Sequence, residues 1–453
     1  MAQFIPIREK EKCGKYAEWC NLPSLALEKI YSFLSRSDQY NMSLVCKQWT
    51  AGFSSPSVWQ RFKFLLPEAH LRWDTSPLIK FAERYGHMFK HLEIECSYIK
   101  VCELDRSWRL FMKFLEILES KSILISIKFK NFEQASGIDP FLCPDSAPPT
   151  KNPTEAIADF LKTQHHLERI EFHQCFFDGG KGFEILKIIT ERSRDSLKHL
   201  VLRGFMSNNM DSTAAPNIRL IASLQRLLTL EVDYNLILEN FDIETLKIFQ
   251  PQLRLKIIIR CERYNDHFLT SKDWINLKEV YPYLEVEIYF RAYSISCQEA
   301  KSLIVPEIPV TQLTYDFSCC LVTFLTLSDE LETETGIDGL LTHLLNIKAY
   351  DSLFVLRLIW SLPIPNLANT FIPFLREFKG LKCFELVINY PANNIEALFI
   401  YLLKSRQSLD NLVIEICGIP YNECTILKKL ASKYVPLLNQ IGLNSRVDLK
   451  LES

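Results

Sequence analysis

A short phrase, Leu-x-x-Leu-x-Leu with conservative swaps, returns along this 453-residue chain at nearly constant steps. It reads Leu124-Ile-Ser-Ile127-Lys-Phe129, Leu167-Glu-Arg-Ile170-Glu-Phe172, Leu197-Lys-His-Leu200-Val-Leu202 and Leu227-Leu-Thr-Leu230-Glu-Val232. Later copies are Leu353-Phe-Val-Leu356-Arg-Leu358, Leu381-Lys-Cys-Phe384-Glu-Leu386 and Leu409-Asp-Asn-Leu412-Val-Ile414. The steps 167 to 197 to 227 are 30 residues each, and those from 353 to 381 to 409 are 28 each. A fixed period of this length signals stacked units, none of which buries its apolar face alone. Alternation inside each phrase is the strand period.

Between 250 and 320 the phrase survives as alternation, in Leu253 to Ile259, Leu284 to Ile288 and Val310 to Tyr315, and His91 to Cys96 reads as the opening strand. Helical spacing fills the gaps over Ser107–Glu119, Thr154–Gln164, Phe183–Arg194, Ile395–Lys404 and Tyr421–Tyr434. A doubly wound α/β domain predicts fewer equal steps and a Gly-rich first turn, and neither is present. The pattern resembles leucine-rich repeats in an irregular form, without the regular Asn after the strand. That resemblance implies an α/β fold: a right-handed solenoid over residues 91–453 with strands on its concave side and helices on its convex side. Pro-rich residues 133–153 and the acidic stretch 328–337 break the period and read as exposed insertions.

Residues 19–64 are different in kind. Leu22-Pro23 opens a first helix, with Pro suited to the first turn, and Leu27, Ile30, Phe33 and Leu34 follow at helical spacing. Asp38 or Ser37 is the expected cap of a second helix, which carries Met42 to Trp49, and Ser55-Pro56 starts a third that runs past Trp59 to Phe62. Some 45 residues hide too little surface for Trp19, Phe33, Trp49, Trp59 and Phe62 together. Part of that apolar surface therefore serves a neighbouring domain or another protein. The order Leu22-Pro23, Ile30, Phe33-Leu34, Leu44-Val45-Cys46-Lys47-Gln48-Trp49, Pro56-Ser57-Val58-Trp59 resembles the F-box, the module that docks substrate receptors on cullin–RING ubiquitin ligases. Gln39, where the family usually has Leu, and Ala26, where a larger apolar residue is common, depart from it. The division expected is an N-terminal tail 1–18, a three-helix F-box 19–64, a linker and first helix 65–90, and the repeat array.

Net charge is −2, so no basic field is available to neutralise phosphates, and nucleic acid is not an expected partner. The first residues carry charges where a secretory signal needs an apolar run. The most apolar stretch, Leu353 to Leu375, is interrupted by Arg357, Pro363, Pro365 and Pro373, so no membrane span is expected. These features predict a soluble protein of the cytoplasm or nucleus. The 14 cysteines are scattered without a Cys-x-x-Cys pair, and read as reduced, mostly buried thiols.

No phosphate-cradling loop, Gly-x-Ser-x-Gly elbow or His-Glu-x-x-His helix occurs. The densest metal-like group, His165, His166, His173 and Cys175, is read as ordinary polar residues at a helix end and strand. The expectation is a non-catalytic chain with no cofactor and no metal. By the F-box resemblance, Leu22, Pro23, Leu27, Ile30, Phe33, Leu34, Leu44, Val45, Cys46, Trp49 and Trp59 form or support a surface for the Skp adaptor, and through it for the cullin and RING subunits. An unidentified protein substrate would then lie on the repeats. Strand alternation places Arg169, Glu171, His173, Arg203, Glu231, Asp233, Lys256, Arg260, Glu285, Glu287, Tyr289, Asp316, Arg357, Glu385 and Glu415 in one inner field. Acids outnumber bases there, which hints at a target with positive charge. The reading of another class is a non-ligase scaffold whose helical cap packs on its own repeats.

Overall fold

The computed structural model describes residues 19–66, 77–96, 104–132, 152–207, 218–234, 236, 252–261, 269–291, 298–317, 337–362, 364–405 and 408–452. The tail 1–18, nearly all of the insertion at 133–153, and 328–336 of the second insertion lie outside the described residues. Contacts divide the chain into two compact units, Met1–Ile127 with Pro140–Ala156, and Lys128–Asp139 with Ile157–Ser453.

In the first unit a 3-10 turn, Trp19–Asn21, leads into α1 (Ser24–Phe33), α2 (Arg36–Ser43), α3 (Lys47–Phe53) and α4 (Pro56–Trp59). Then come β1 (Arg61–Leu66), α5 (Pro77–Tyr85), β2 (His91–Cys96), α6 (Leu104–Lys121) and the start of β3 (Ser126–Lys130). Among the described residues strand formation thus begins at Arg61, thirty residues before the expected opening strand, because Arg-Phe-Lys-Phe-Leu-Leu alternates and buries Phe64 and Leu66. β1 pairs in parallel with β2, setting Lys63 opposite Glu93, and the Lys63 ammonium reaches Glu93 at 3.2 Å and Glu95 at 2.6 Å. Below the strands Phe62 stacks on Phe89 at 4.7 Å and on Phe81 at 5.4 Å, and Phe64 meets Phe114 of α6 at 4.6 Å. Such pairs add roughly 0.5–1.5 kcal/mol beyond their area burial.

The second unit takes the rest of β3, then α7 (Pro153–Thr163, whose first turn belongs to the first unit), β4 (Arg169–His173), α8 (Gly179–Arg192), β5 (His199–Arg203), α9 (Ile218–Ala222) and β6 (Thr229–Asp233). It continues through β7 (Arg254–Cys261), α10 (Ser271–Val280), β8 (Glu285–Arg291), α11 (Gln298–Leu303), β9 (Val310–Phe317), α12 (Ile337–Asn346) and β10 (Val355–Trp360). The last elements are α13 (Leu367–Glu377), β11 (Cys383–Asn389), α14 (Ile395–Lys404), β12 (Asn411–Ile419), α15 (Tyr421–Gln440) and β13 (Asn444–Leu451). Among the described residues thirteen strands hydrogen-bond in chain order, in a sheet that is not closed. Parallel neighbours need crossovers, and the helices named above lie in them.

The repeated phrase maps onto this ladder. Arg169 registers with His199 and His199 with Thr229, at the 30-residue step, while Val355 registers with Cys383 and Cys383 with Asn411, at the 28-residue step. Apolar positions stack in columns: Phe129 lies on Phe172 at 5.3 Å, Phe290 on Tyr315 at 5.1 Å, and Phe317 on Trp360 at 4.8 Å. Helix side chains complete the core, as Phe371 of α13 does against Phe384 of β11 at 5.4 Å. Left-handed residues follow three successive strands, Asn131 (φ 60°), Gln174 (φ 55°) and Gly204 (φ 57°). A Cβ on Gly204 would stand 3.0 Å from the Gln174 backbone, so both conformation and space call for glycine there.

The sequence expectation differs from this structure at four places besides β1. The helical module has four short helices plus a 3-10 turn, not three helices, since the chain breaks at Leu44-Val45-Cys46 between α2 and α3. Pro23 stands at the N-cap of α1, one residue ahead of the first turn. Ser35, not Ser37 or Asp38, caps α2, accepting from the Asp38 N–H at 3.2 Å while its hydroxyl donates to the Asp38 carboxylate at 2.7 Å. β13 had no counterpart in the sequence reading.

Candidate functional site

The helical module holds its backbone ends together with side chains. Tyr31, fully buried, donates to the Trp49 carbonyl at 2.7 Å, and the Trp49 indole N–H reaches the Trp19 carbonyl at 2.8 Å. The Gln48 amide donates to the Leu22 carbonyl at 2.8 Å, so α3 fixes the entry to α1. Gln39 is buried, its amide donating to the carbonyls of Tyr31 at 2.7 Å and Leu34 at 3.3 Å while its oxygen accepts from Arg36 at 2.6 Å. The departure from Leu at this position is thus an internal cap on the end of α1, satisfying carbonyls that a helix terminus leaves unpaired. Gly52 lets α3 close on α1, since a Cβ there would sit 3.2 Å from the Tyr31 ring.

The eleven sequence-predicted docking residues fall into three groups. Leu27 and Trp59 are buried, and Leu22, Ile30, Leu34, Cys46 and Trp49 are half-buried. Trp59 lies against Phe81 at 4.5 Å, Phe53 at 4.8 Å and Tyr85 at 5.5 Å, under the Arg36 guanidinium at 4.5 Å, and its N–H donates to the Phe53 carbonyl at 2.6 Å. It supports the module from within. Pro23, Phe33, Leu44 and Val45 face solvent, with Phe33 74% exposed. Trp19, Leu25 and Tyr40 join them, and Leu25, at 80%, is more open than Phe33, Leu44 or Val45. The helical spacing of Leu27, Ile30, Phe33 and Leu34 passes over Leu25, and Tyr40 lies among the polar residues of α2. Burying a side chain of this size is worth about 1.5–3 kcal/mol, so this many left in water is costly for a surface with no partner.

A family model described as F-box-like matches residues 19–65. The helical module is an F-box-like domain. The match takes in the F-box-like helices and nearly all of β1, and it does not extend to the repeated strands.

The predicted inner field of the second unit is a set of paired charges. Glu171 accepts from Lys128 at 2.6 Å, His173 at 3.1 Å and Arg169 at 3.4 Å. The hydrogen bond with His173, then Lys128, outweighs burial and lowers its pKa to about 2. Arg203 binds Glu231 at 2.8 Å and Glu287 at 2.9 Å, and Lys256 reaches Glu287 at 3.1 Å and Glu285 at 4.0 Å. Burial disfavours the charges of Arg203 and Glu287, but their mutual attraction wins: Arg203 is raised and Glu287 lowered. Arg357 pairs with Glu385 at 2.9 Å, Glu415 with Lys450 at 2.5 Å, and Tyr289 donates to Asp316 at 3.3 Å.

Two predicted members are not displayed at all. Asp233 is 8% and Asp316 5% exposed, the last residue of β6 and the penultimate residue of β9. Asp233 accepts from the Gly204 N–H and lies 3.5 Å from Arg260, and burial still pushes its pKa up to about 6. Lys128, Arg291 and Lys450 belong to the network and were missed, although Lys128 and Arg291 share the alternation phase of their strands. The acid excess therefore shrinks: most of the acids already hold a base, and the field no longer argues for a cationic target.

Among the described residues no group of three or more His, Cys, Asp or Glu is placed to hold a metal ion. His173 turns to Glu171, and buried Cys175 points its thiol at the Phe129 carbonyl, 3.8 Å away. Among the described residues no helix is long and apolar enough to cross a membrane.

Proposed function

We propose that the chain is the substrate-recognition subunit of an SCF-type E3 ubiquitin ligase. One observation carries this reading: an F-box-like domain whose Trp19, Leu25, Phe33, Tyr40, Leu44 and Val45 stand 58–80% exposed. The Skp adaptor covers them and links the chain to the cullin and RING subunits. The strand region is an irregular leucine-rich-repeat solenoid whose charged face grips the target protein, so the contribution is effective concentration and orientation. No bond is made or broken by the chain itself. Burial raises the thiols of Cys96, to about 12, and of Cys383 and Cys417, opposite to what a ubiquitin thioester carrier needs. The complex works in the cytoplasm or nucleus.

One feature favours a non-ligase scaffold: Trp59 is sealed by residues of its own unit, so part of the helical cap is self-packed. The two readings part at the exposed six. Full-length chain co-expressed with the Skp adaptor should elute with it as a stoichiometric complex, and addition of cullin and RING subunits should enlarge that complex. Separate elution of chain and adaptor at micromolar concentration would leave the scaffold reading standing.

A further inference from the structure

The two edges of the sheet are finished differently. At β1 the Arg36 guanidinium donates to the carbonyls of Arg61 and, at 3.2 Å, Val58, covering the start of that edge. At β13, among the described residues, no strand lies on the outer side. The Asn444 N–H points inward to the Asp410 carbonyl, so alternation turns the N–H and C=O of Val447 and Leu449 outward. Ser445, the first outward residue, already gives its N–H to Asn439 at 2.7 Å. The core is thin here too. Leu412, Ile414 and Ile416 of β12 are 0% exposed, whereas Val447 and Leu449, in register with Ile414 and Ile416, are half-buried and Leu451 is 47% exposed.

We propose that β13 is the interface of a homodimer, in which a second copy of the chain pairs with it antiparallel about a two-fold axis through Val447. Symmetry and the strand period restrict the register, because paired residues must share a face. Centring on Arg446 sets Arg446 against itself. Centring on Asp448 sets Asp448 against itself and Arg446 against Lys450. Like charges directly opposite are destabilising. Centring on Leu449 also opposes unlike charges, Asp448 on Lys450, but pairs only residues 447–451 of the strand, whereas centring on Val447 pairs 444–450, with Arg446 opposite the second copy's Asp448 twice over and Val447 on Val447. The Val447 register also makes Val447 a hydrogen-bonded pair, using the N–H and C=O that face outward. In the single chain Arg446 and Asp448 lie 2.7 Å apart with Arg446 73% exposed, so both are available to exchange partners.

Sedimentation velocity on the full chain over a concentration series tests this. The wild type should shift from monomer to dimer. Arg446→Glu and Asp448→Arg should each weaken self-association by about tenfold or more. An equimolar mixture of those two variants should dimerise again, because the Arg446→Glu chain and the Asp448→Arg chain complement each other at both pairs. Val447→Pro should abolish the dimer without lowering the thermal midpoint, since the lost N–H bonds nothing inside the chain. A wild type monomeric throughout, a mixture that stays monomeric, or slow amide exchange at Val447 and Leu449 in the monomer would each overturn the proposal.

Discussion

The F-box-like helices and the charged strand face treat unsatisfied groups in opposite ways. The helices bury Leu27, Tyr31 and Trp59 to make a rigid base, then leave Leu25, Phe33, Leu44 and Val45 in water. The strand face places Arg203, Lys256, Glu231 and Glu287 within about 4 Å of partners on neighbouring strands. A surface left incomplete is one whose completion comes from outside, and a surface whose charges are already matched does more for cohesion between strands than for capture. Composition alone cannot make that distinction, since both regions look like ordinary mixtures of polar and apolar residues.

The contrast can be broken at its strongest point first. Trp59→Ala should cost about 3–5 kcal/mol in urea unfolding, as a buried aromatic leaves a cavity, whereas Phe33→Ala should change stability by less than ~0.5 kcal/mol. Equal effects would mean that the exposed row is structural. Next, Leu25→Asp with Phe33→Asp should weaken Skp-adaptor binding by about 100-fold or more, ~3 kcal/mol or more by calorimetry, with the thermal midpoint unchanged. On the strand face, Arg203→Ala should destabilise by about 1–3 kcal/mol because it leaves Glu231 and Glu287 short of a donor. A double-mutant cycle with Glu287→Gln should then show coupling of about 0.5–3 kcal/mol, and additivity would mean that the pair is ornamental.

The smallest effects concern pH. Glu171, lowered to about 2, contributes stability that is present above its unfolded pKa near 4.5 and fades as pH falls towards 2. Asp233, raised to about 6, binds its proton more tightly when folded, so its contribution weakens stability as pH rises from about 4 through 6. Denaturant midpoints of Glu171→Gln and Asp233→Asn against pH should therefore deviate from wild type in opposite directions, each within its own window.

The strand ladder was legible because buried parallel strands write their core positions directly, and Leu200, Leu202, Phe384 and Leu386 fall where the phrase puts them. β1 was hidden because Phe62 fits a helical spacing from Trp59 as well as it fits a strand. β13 was hidden because Ser445 takes the core position that Leu412 holds in the neighbouring strand, which breaks the repeated phrase. In the F-box-like domain the residue types pointed to the module, but which face of each helix was covered depended on packing, so Trp59 and Leu25 exchanged roles. The pairing of the strand charges depends on register and on how far Lys and Arg reach across two strands, neither of which one strand's sequence records.

Strand order equal to chain order has a kinetic and evolutionary consequence. The register holds although the step between paired residues is 25 from Thr229 to Arg254 and 43 from Gln312 to Val355, so length added in a crossover leaves the ladder undisturbed. Each strand waits only for its predecessor, and closure spans a few dozen residues at a time, so assembly can spread zipper-fashion instead of searching for distant segments. Duplication or loss of one strand–helix pair lengthens or shortens such a chain without redesigning what remains.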